Sequence, residues 1–234
     1  MNYLIIVAGG NGKRMKSPIN KIFLKIDGKP IIYWTLKAFE QSKVIDKIII
    51  SARKEDIKKI KLLIKKNNFK KIIGIVEANH SRQDSTFLVL KWLKTQLKNN
   101  DLIGVHNAVN PFVSELEIIN VFEAAKKHGA ALLAHPARDT VKITNGEGIV
   151  EKTPLRELCW YAQTPQVSIF SNLWGAFTKA QEDNFLGTDD TQLLEKIGIK
   201  AKIVPCSNFN FKITFQEDLI IAKKILKMLN KENV

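Results

Sequence analysis

The chain has 234 residues, of which 45% are apolar and 26% charged, and its formal net charge is +14. This much apolar material can form a core, which excludes an intrinsically disordered chain. Two cysteines, Cys159 and Cys206, are too few for a disulfide scaffold, so we expect a reducing, cytoplasmic location. The first ten residues do not have the charged start of a signal peptide, and no apolar run reaches the roughly 20 residues of a membrane span.

The positive charge comes mainly from lysine, since arginine occurs only at positions 14, 53, 82, 138 and 156. A lysine-rich composition is most simply a compositional bias with solvated helical faces. The aromatic residues are not interleaved with the lysines, which disfavours a groove for single-stranded nucleic acid. We therefore expect no nucleic-acid partner and no membrane, whereas a small anionic substrate is compatible with the charge.

Short apolar runs alternate with segments of helical periodicity along the chain. Residues 4–8 (LIIVA) form an apolar run without polar alternation, which predicts a strand buried on both faces. The same patterns place the later elements. The predicted strands are 4–8, 47–51, 72–76, 102–106, 130–134 and 202–205, and the predicted helices are 30–39, 54–66, 83–97, 115–127, 172–181, 190–197 and 216–228.

The alternation predicts an α/β protein with a mostly parallel, twisted sheet and helices on both faces. Residues 138–160 interrupt it with two short extended pieces around a turn at 145–148, which predicts an inserted β-hairpin arm. No linker or repeat divides the chain, so we expect one domain over 1–234. Sheets of this kind bind ligands at the carboxyl ends of their strands, and the functional residues should follow strands.

A glycine-rich loop, residues 8–15 (AGGNGKRM), directly follows the first predicted strand. Glycines let backbone N–H groups approach an anion, and successive N–H groups can form an anion-binding nest. The loop has neither the Walker A pattern nor GxGxxG, and its glycines by themselves favour an ordinary solvated turn. Lys21 lies seven residues beyond Arg14 and is followed by apolar residues, which makes the pattern G-x-G-x-R-M…K-x-x-L much more specific for phosphate binding.

This pattern resembles the nucleotidyltransferases that join a sugar or polyol phosphate to a nucleotide. Later segments narrow the resemblance to the cytidylyltransferases: R-x-x-S at 82–85, VHNAVNPF at 105–112, RDTVK at 138–142, R-x3-W-x-A-x-TPQ at 156–166, TDD at 188–190 and NFKIT at 210–214. Together they cover nearly the whole chain in order. The chain thus resembles the 2-C-methyl-D-erythritol 4-phosphate cytidylyltransferases of the non-mevalonate isoprenoid pathway, and the related ribitol-5-phosphate cytidylyltransferases share most of the motifs.

The resemblance implies a Rossmann-like nucleotidyltransferase fold, a homodimer formed through the 138–160 arm, and CTP and a polyol phosphate as substrates. It also implies Mg²⁺, carried mainly by the CTP phosphates, with Asn107 as a candidate protein ligand. The residues carried over fall into three groups. They are Arg14, Lys21 and Lys212 for catalysis; Ala8, Gly9, Gly10, Gly12, Asn79, Arg82, Ser85, Asn107 and Ala108 for the nucleotide; and Asn110, Thr140, Arg156 and Thr188 for the polyol phosphate.

Two positions depart from the family motif VHDAARPF, because Asn107 and Asn110 replace its Asp and Arg. Residues 78–79 (Ala-Asn) also replace the usual glycine pair before the R-x-x-S signature. Single charges in a site strongly affect the energy of a transition state. Three readings therefore stay open: a working enzyme with an altered site, an enzyme for another polyol phosphate such as ribitol 5-phosphate, or a catalytically impaired homologue that binds nucleotide.

Overall fold

A computed structural model describes residues 1–10, 15 and 19–232. Its main sheet has seven strands in the order β11-β7-β10-β6-β1-β4-β5, and two small sheets pair β2 with β3 and β8 with β9. The strands are β1 Asn2–Val7, β2 Lys25–Ile26, β3 Lys29–Pro30, β4 Lys47–Ala52, β5 Ile72–Glu77, β6 Leu102–Asn107, β7 Ala130–Pro136, β8 Ile143–Thr144, β9 Val150–Lys152, β10 Trp160–Ile169 and β11 Lys202–Pro205. The helices are α1 Ile31–Gln41, α2 Lys54–Asn67, α3 Arg82–Leu93, α4 Glu115–His128, α5 Phe170–Glu182, α6 Asp190–Lys196 and α7 Gln216–Glu232.

All neighbouring strands of the main sheet are parallel except for the two pairs that β10 makes with β6 and β7. The α/β class with a mostly parallel sheet is therefore confirmed. The predicted hairpin is present as β8 and β9, which pair with each other apart from the main sheet. That the chain is a single domain and that the hairpin serves dimerisation both stay predictions.

Strand β10 is the main element that sequence reasoning missed. Its residues WYAQTPQVSI include Pro165, and a proline inside a run argues against a central strand. In the structure the register of β10 against β7 shifts between Ala162 and Gln166, so Pro165 lies in an irregularity where the ladder does not need its missing N–H.

The helix predicted over 83–97 is also shorter than expected, because α3 ends at Leu93. Beyond this residue the backbone N–H of Gln96 donates to the carbonyl of Leu93, which is a turn rather than a continued α-helical ladder.

The core lies on both faces of the sheet, and β1 shows why. Tyr3 and Ile5 pack on one face with α3 and α5, whereas Leu4 and Ile6 pack on the other face with α1, α4 and α7. All four side chains are at most 1% exposed, as the unalternated apolar run predicted. Within residues 1–10, 15 and 19–232, the structure contains no helix with the length and apolar character that a membrane span requires.

Two strand glycines provide a matched test of this packing. A Cβ atom on Gly104 would lie 2.8 Å from Cζ of buried Phe122, whereas one on Gly74 would lie 2.7 Å from Cη2 of Trp92, which is 44% exposed. Overpacking a core costs about 1–3 kcal/mol when the neighbours cannot move. We expect Gly104→Ala to lower the free energy of unfolding in urea by that amount and Gly74→Ala to lower it less, since Trp92 can turn toward solvent. Equal losses would contradict this account.

Candidate active site

A cavity of about 650 Å³ opens at the carboxyl ends of β1, β5 and β6. Its walls are polar, and they come from the loops that follow these strands together with residues from distant parts of the chain. Parallel sheets commonly bind ligands at this edge. Among the residues that line it are Ala8, Gly9, Gly10, Lys21, Arg53, Lys54, Glu55, Glu77, Asn79, His80, Arg82, Ser85, Asn107 and Lys212.

The first loop meets the loop after β5 so closely that one position must be glycine. A Cβ atom on Gly9 would lie 2.5 Å from Cβ of Ala78, closer than two such atoms approach. The neighbouring Ala8 is buried, and its N–H donates to the carbonyl of Ser51 at the end of β4. The loop therefore presents backbone rather than side chain to the cavity at Gly9. Gly12 and Arg14, predicted for nucleotide binding and catalysis, lie outside the described residues.

Lys21 is held at the cavity by a short 3-10 turn. Asn20 caps this turn, since its Oδ1 accepts from the N–H of Ile22 at 3.3 Å and its Nδ2 donates to Asp56 Oδ2 at 2.7 Å. Lys21 is only 9% exposed, and its Nζ donates to the carbonyl of Ile213 at 3.1 Å. The next residue back, Lys212, also lines the cavity. The structure thus brings both predicted catalytic lysines to the cavity.

The first turn of α3 also contributes to the wall of the cavity. Ser81 caps the helix by accepting from the N–H of Asp84 at 2.9 Å. The Oγ of buried Ser85 accepts from the N–H of Asn79 at 3.0 Å and donates to the carbonyl of Ser81 at 2.7 Å. These bonds hold residues 79–81 in a fixed turn. Asn79 and Ser85, both predicted for the nucleotide, therefore line the cavity as parts of a turn whose backbone is fixed by internal hydrogen bonds.

Arg82 lines the same cavity, but its guanidinium is bound elsewhere. Nη1 donates to Asp190 Oδ1 at 2.8 Å, and Nη2 donates to Asp190 Oδ2 at 2.5 Å. Burial lowers the pKa of Arg82, but the Asp190 carboxylate outweighs burial and raises the pKa above its usual value, so Arg82 is positively charged. Asp190 is 2% exposed. Sequence reasoning missed this pair: TDD was recognised as a motif, but nothing in its spacing gives a contact across 108 residues.

The two asparagines that depart from the family motif, at the end of β6 and in the loop after it, have different surroundings. Asn107 lines the cavity, and its N–H donates to Thr164 Oγ1 at 3.3 Å. Asn110 is 0% exposed, and its amide atoms make no hydrogen bond within the described part of the chain. The carbonyl of Asn110 contacts Nε2 of His106 at 2.9 Å, and complete burial lowers the pKa of His106 to about 4. His106 is therefore neutral at pH 7 and packs at the strand end.

The residues predicted for the polyol phosphate are not gathered around the main cavity within one chain. Thr140 and Arg156 are exposed on the arm, where Arg156 Nη1 donates to the carbonyl of Arg138 at 3.4 Å. Thr188 lines a separate, smaller cavity of about 290 Å³ together with Trp160. Of the predicted site residues in the described part of the chain, those that do not line the main cavity are Ala108, Asn110, Thr140, Arg156 and Thr188.

Comparison with known proteins identifies the family. A family model described as "2-C-methyl-D-erythritol 4-phosphate cytidylyltransferase" matches residues 2–228. The chain belongs to this family. It is 39% identical over 227 residues to the 2-C-methyl-D-erythritol 4-phosphate cytidylyltransferase of Halalkalibacterium halodurans, with 97% of each chain covered. It is 40% identical over 235 residues to the enzyme of that name from Clostridioides difficile, with 100% of this chain and 97% of the relative covered.

Solved structures of the family agree with the fold. The 4-diphosphocytidyl-2C-methyl-D-erythritol synthase from Anaerococcus prevotii superposes with a TM-score of 0.84 at 33% identity, covering 97% of this chain and 96% of the other. The 2-C-methyl-D-erythritol 4-phosphate cytidylyltransferase of Francisella tularensis gives a TM-score of 0.76 at 34% identity, covering 94% and 97%. The fold that carries the cavity and the arm is thus shared with these family members over nearly the whole length of this chain.

The close approach of Gly9 and Ala78 can be tested by a double-mutant cycle. Gly9→Ala should lower the free energy of unfolding by about 1–3 kcal/mol, because the new methyl group meets Ala78. Adding Ala78→Gly should recover most of this loss, since the next atom near the new Cβ is Ser85 Oγ at 3.9 Å. Neighbouring residues that share one space give such non-additive effects. Strictly additive losses in urea unfolding would show that the two loops do not constrain each other.

Proposed function

We propose that this chain joins CTP and 2-C-methyl-D-erythritol 4-phosphate to give 4-diphosphocytidyl-2-C-methyl-D-erythritol and pyrophosphate. Family membership over residues 2–228 supports the reaction. The cavity at the carboxyl ends of β1, β5 and β6 is the proposed location of the reaction. The single observation that carries the proposal is the meeting of Lys21 and Lys212 with the glycine loop at that cavity. The positive charge of the lysines and the exposed backbone at Gly9 fit a triphosphate.

The proposed reaction is an in-line displacement at phosphorus. An oxygen of the polyol phosphate forms a bond to the α-phosphorus of CTP, while the bond from that phosphorus to the β-bridging oxygen breaks and pyrophosphate takes the electron pair. A phosphate monoester is already anionic at pH 7, so the nucleophile needs no general base. The protein must instead align the two phosphates and neutralise the spreading negative charge. Lys21 and Lys212 are proposed for that role, together with Arg14.

Mg²⁺ is proposed to act with the triphosphate. Within residues 1–10, 15 and 19–232 there is no group of three or more His, Cys, Asp or Glu residues that could hold a metal ion. Mg²⁺ commonly takes one or two protein ligands and completes its shell with phosphate oxygens and water. Asn107 fits this limited role, because its Nδ2 lies 3.5 Å from Thr164 Oγ1, which leaves Oδ1 as the ligand atom. Bound Mg²⁺ would neutralise charge on the phosphates.

The arm supports a proposal for assembly. It carries apolar side chains that are largely exposed: Ile143 46%, Ile149 60%, Val150 52%, Leu155 64% and Leu158 73%. A concentration of exposed apolar residues marks an interaction surface. We propose a homodimer in which the arm of one subunit covers the other, so that Thr140 and Arg156 complete the partner's acceptor site. This explains why neither residue reaches the cavity of its own chain.

The reaction is tested by pyrophosphate release with each of the four nucleoside triphosphates and two acceptors. We expect release with CTP and 2-C-methyl-D-erythritol 4-phosphate, much slower release with ribitol 5-phosphate, and loss of activity when EDTA removes Mg²⁺. In the same buffers CTP should raise the melting temperature more than ATP, GTP or UTP, since a ligand that binds only the native state stabilises it. Turnover with ribitol 5-phosphate at an equal rate would favour the other polyol phosphate, and CTP binding without turnover would favour an impaired homologue.

The shared site is tested by mixing two inactive variants. Lys21→Ala damages the body of a subunit, and Arg156→Ala damages its arm. In a random mixture of dimers, about a quarter of the sites combine an intact body with an intact arm, so about a quarter of the activity should return. A mixture of Lys21→Ala with Lys212→Ala is the matched control, because both lesions lie on the body and no site is restored. A monomer in light scattering, or no recovery although subunits exchange, would refute the proposal.

A further inference from the structure

Residues 185–190, which we name the Thr188 segment, comprise the irregular end of the connection from α5 and the first residue of α6. Gln83, in the first turn of α3, holds the start of this segment through both ends of its amide. Its Nε2 donates to the carbonyl of Phe185 at 2.9 Å, and its Oε1 accepts from the N–H of Gly187 at 2.9 Å. One half-buried side chain thus makes two hydrogen bonds to the backbone, one on each side of Leu186.

Two further side chains hold the end of the Thr188 segment. Arg82 binds the buried carboxylate of Asp190 through two nitrogens, a geometry that fixes orientation as well as distance. Gln166 of β10, which is 4% exposed, accepts from the N–H of Asp190 at 2.9 Å and donates to Asp189 Oδ2 at 2.9 Å. Thr188 therefore lies between two anchored points, with its own N–H bound to Oε1 of Gln192 at 2.7 Å.

The same turn of α3 builds the wall of the main cavity. Ser85 and the cap Ser81 fix residues 79–81 at the cavity, while Arg82 and Gln83 of the same turn contact the Thr188 segment. A rigid helix end that touches both regions can transmit a small displacement from one to the other. The bidentate pairing also uses both terminal nitrogens of Arg82, which leaves this residue poorly suited to clamp a nucleotide phosphate.

We propose that Arg82 and Gln83 are positioning residues, which set the Thr188 segment for the acceptor phosphate and couple it to the nucleotide cavity. This inference rests on the proposed function in one respect, namely that Thr188 meets the acceptor. Occupation of the cavity by CTP steadies residues 79–82 and, through Arg82 and Gln83, steadies the Thr188 segment.

The first test separates acceptor binding from nucleotide binding. Gln83→Leu removes both amide bonds and leaves the Phe185 carbonyl and the Gly187 N–H without their partner. We expect the KM for 2-C-methyl-D-erythritol 4-phosphate to rise about tenfold, which corresponds to about 1.4 kcal/mol, while the Kd for CTP stays within about twofold. Gln83→Glu retains an acceptor for the Gly187 N–H but turns a second acceptor toward the Phe185 carbonyl, so the KM should rise here too. Gln96→Leu, the same change at an exposed position beyond α3, should show no rise.

Arg82→Lys provides a second variant. Lysine keeps the charge but cannot bind Asp190 with two nitrogens in one plane, so we expect the KM for the acceptor to rise with little change in the Kd for CTP. A comparable loss of CTP affinity in either variant would show that this turn serves the nucleotide directly, and would overturn the proposal. An unchanged KM in both variants would overturn it as well.

The second test does not depend on turnover. Hydrogen exchange should show that CTP with Mg²⁺ protects residues 185–190 in the wild-type chain and fails to protect them in Gln83→Leu, whereas protection of residues 79–82 remains in both. If the wild-type chain releases no pyrophosphate, the proposed function fails, but this exchange pattern still supports the coupling. If the wild-type chain turns over and CTP leaves the exchange of 185–190 unchanged, the coupling is refuted and the proposed function stands.

Discussion

The reversed direction of β10 is the constraint on which the candidate site depends. β10 begins at Trp160, paired with Pro136 at the end of β7, so β7 ends and β10 begins at the same edge of the sheet. The arm between them must leave the sheet at that edge, which is also the edge where the cavity opens. Had β10 run parallel to β6 and β7, the chain would have crossed to the opposite edge first, and the arm could have rooted far from the carboxyl ends of the strands.

The same strand also supplies two internal supports of the site. Thr164 lies beside Asn107 at the end of β6, and Gln166, paired with Val105, reaches the amides at the start of α6. Both side chains are at most 4% exposed. Because buried polar groups must find partners, the irregular part of β10 is fixed by the loops it contacts and fixes them in turn. The carboxyl end of β6 and the Thr188 segment are therefore held by one element.

Lys21 and Lys212 are positioned by a second long-range contact, which Ile213 makes shortly before α7. Ile213 donates its N–H to the carbonyl of Val109 at 2.9 Å and accepts from Nζ of Lys21 at 3.1 Å. A carbonyl is a weaker partner for an ammonium group than an anionic phosphate oxygen is. Lys21 is thus held in place by a bond that a phosphate can improve upon, and Lys212 is placed beside it by the same short segment.

The sequence predicted the parallel strands because each contains a short apolar run, and in β1 and β6 this run is buried on both faces. It missed β10 because Pro165 and the polar residues around it resemble a loop, and only the register irregularity shows how a strand accommodates them. It found Arg82, Thr188 and the TDD motif from resemblance, yet the ion pair of Arg82 with Asp190 joins residues 108 apart. Local pattern contains no information about such a pair, since the contact forms only when the fold brings the first turns of α3 and α6 together.

The two asparagines that depart from the family motif lie at different depths, so Asn107 and Asn110 need not compensate for each other. Asn110 is fully buried behind the cavity, and a substitution there alters the packing of the loop before it alters any charge that a substrate meets. Asn107 faces the cavity and removes a negative charge near Lys21 and Lys212 relative to the motif. This strengthens the attraction for a triphosphate, whereas a neutral amide oxygen is a poorer ligand for Mg²⁺ than a carboxylate is. The two effects of Asn107 oppose each other, and their balance determines whether the altered site favours binding of the nucleotide or binding of the proposed Mg²⁺.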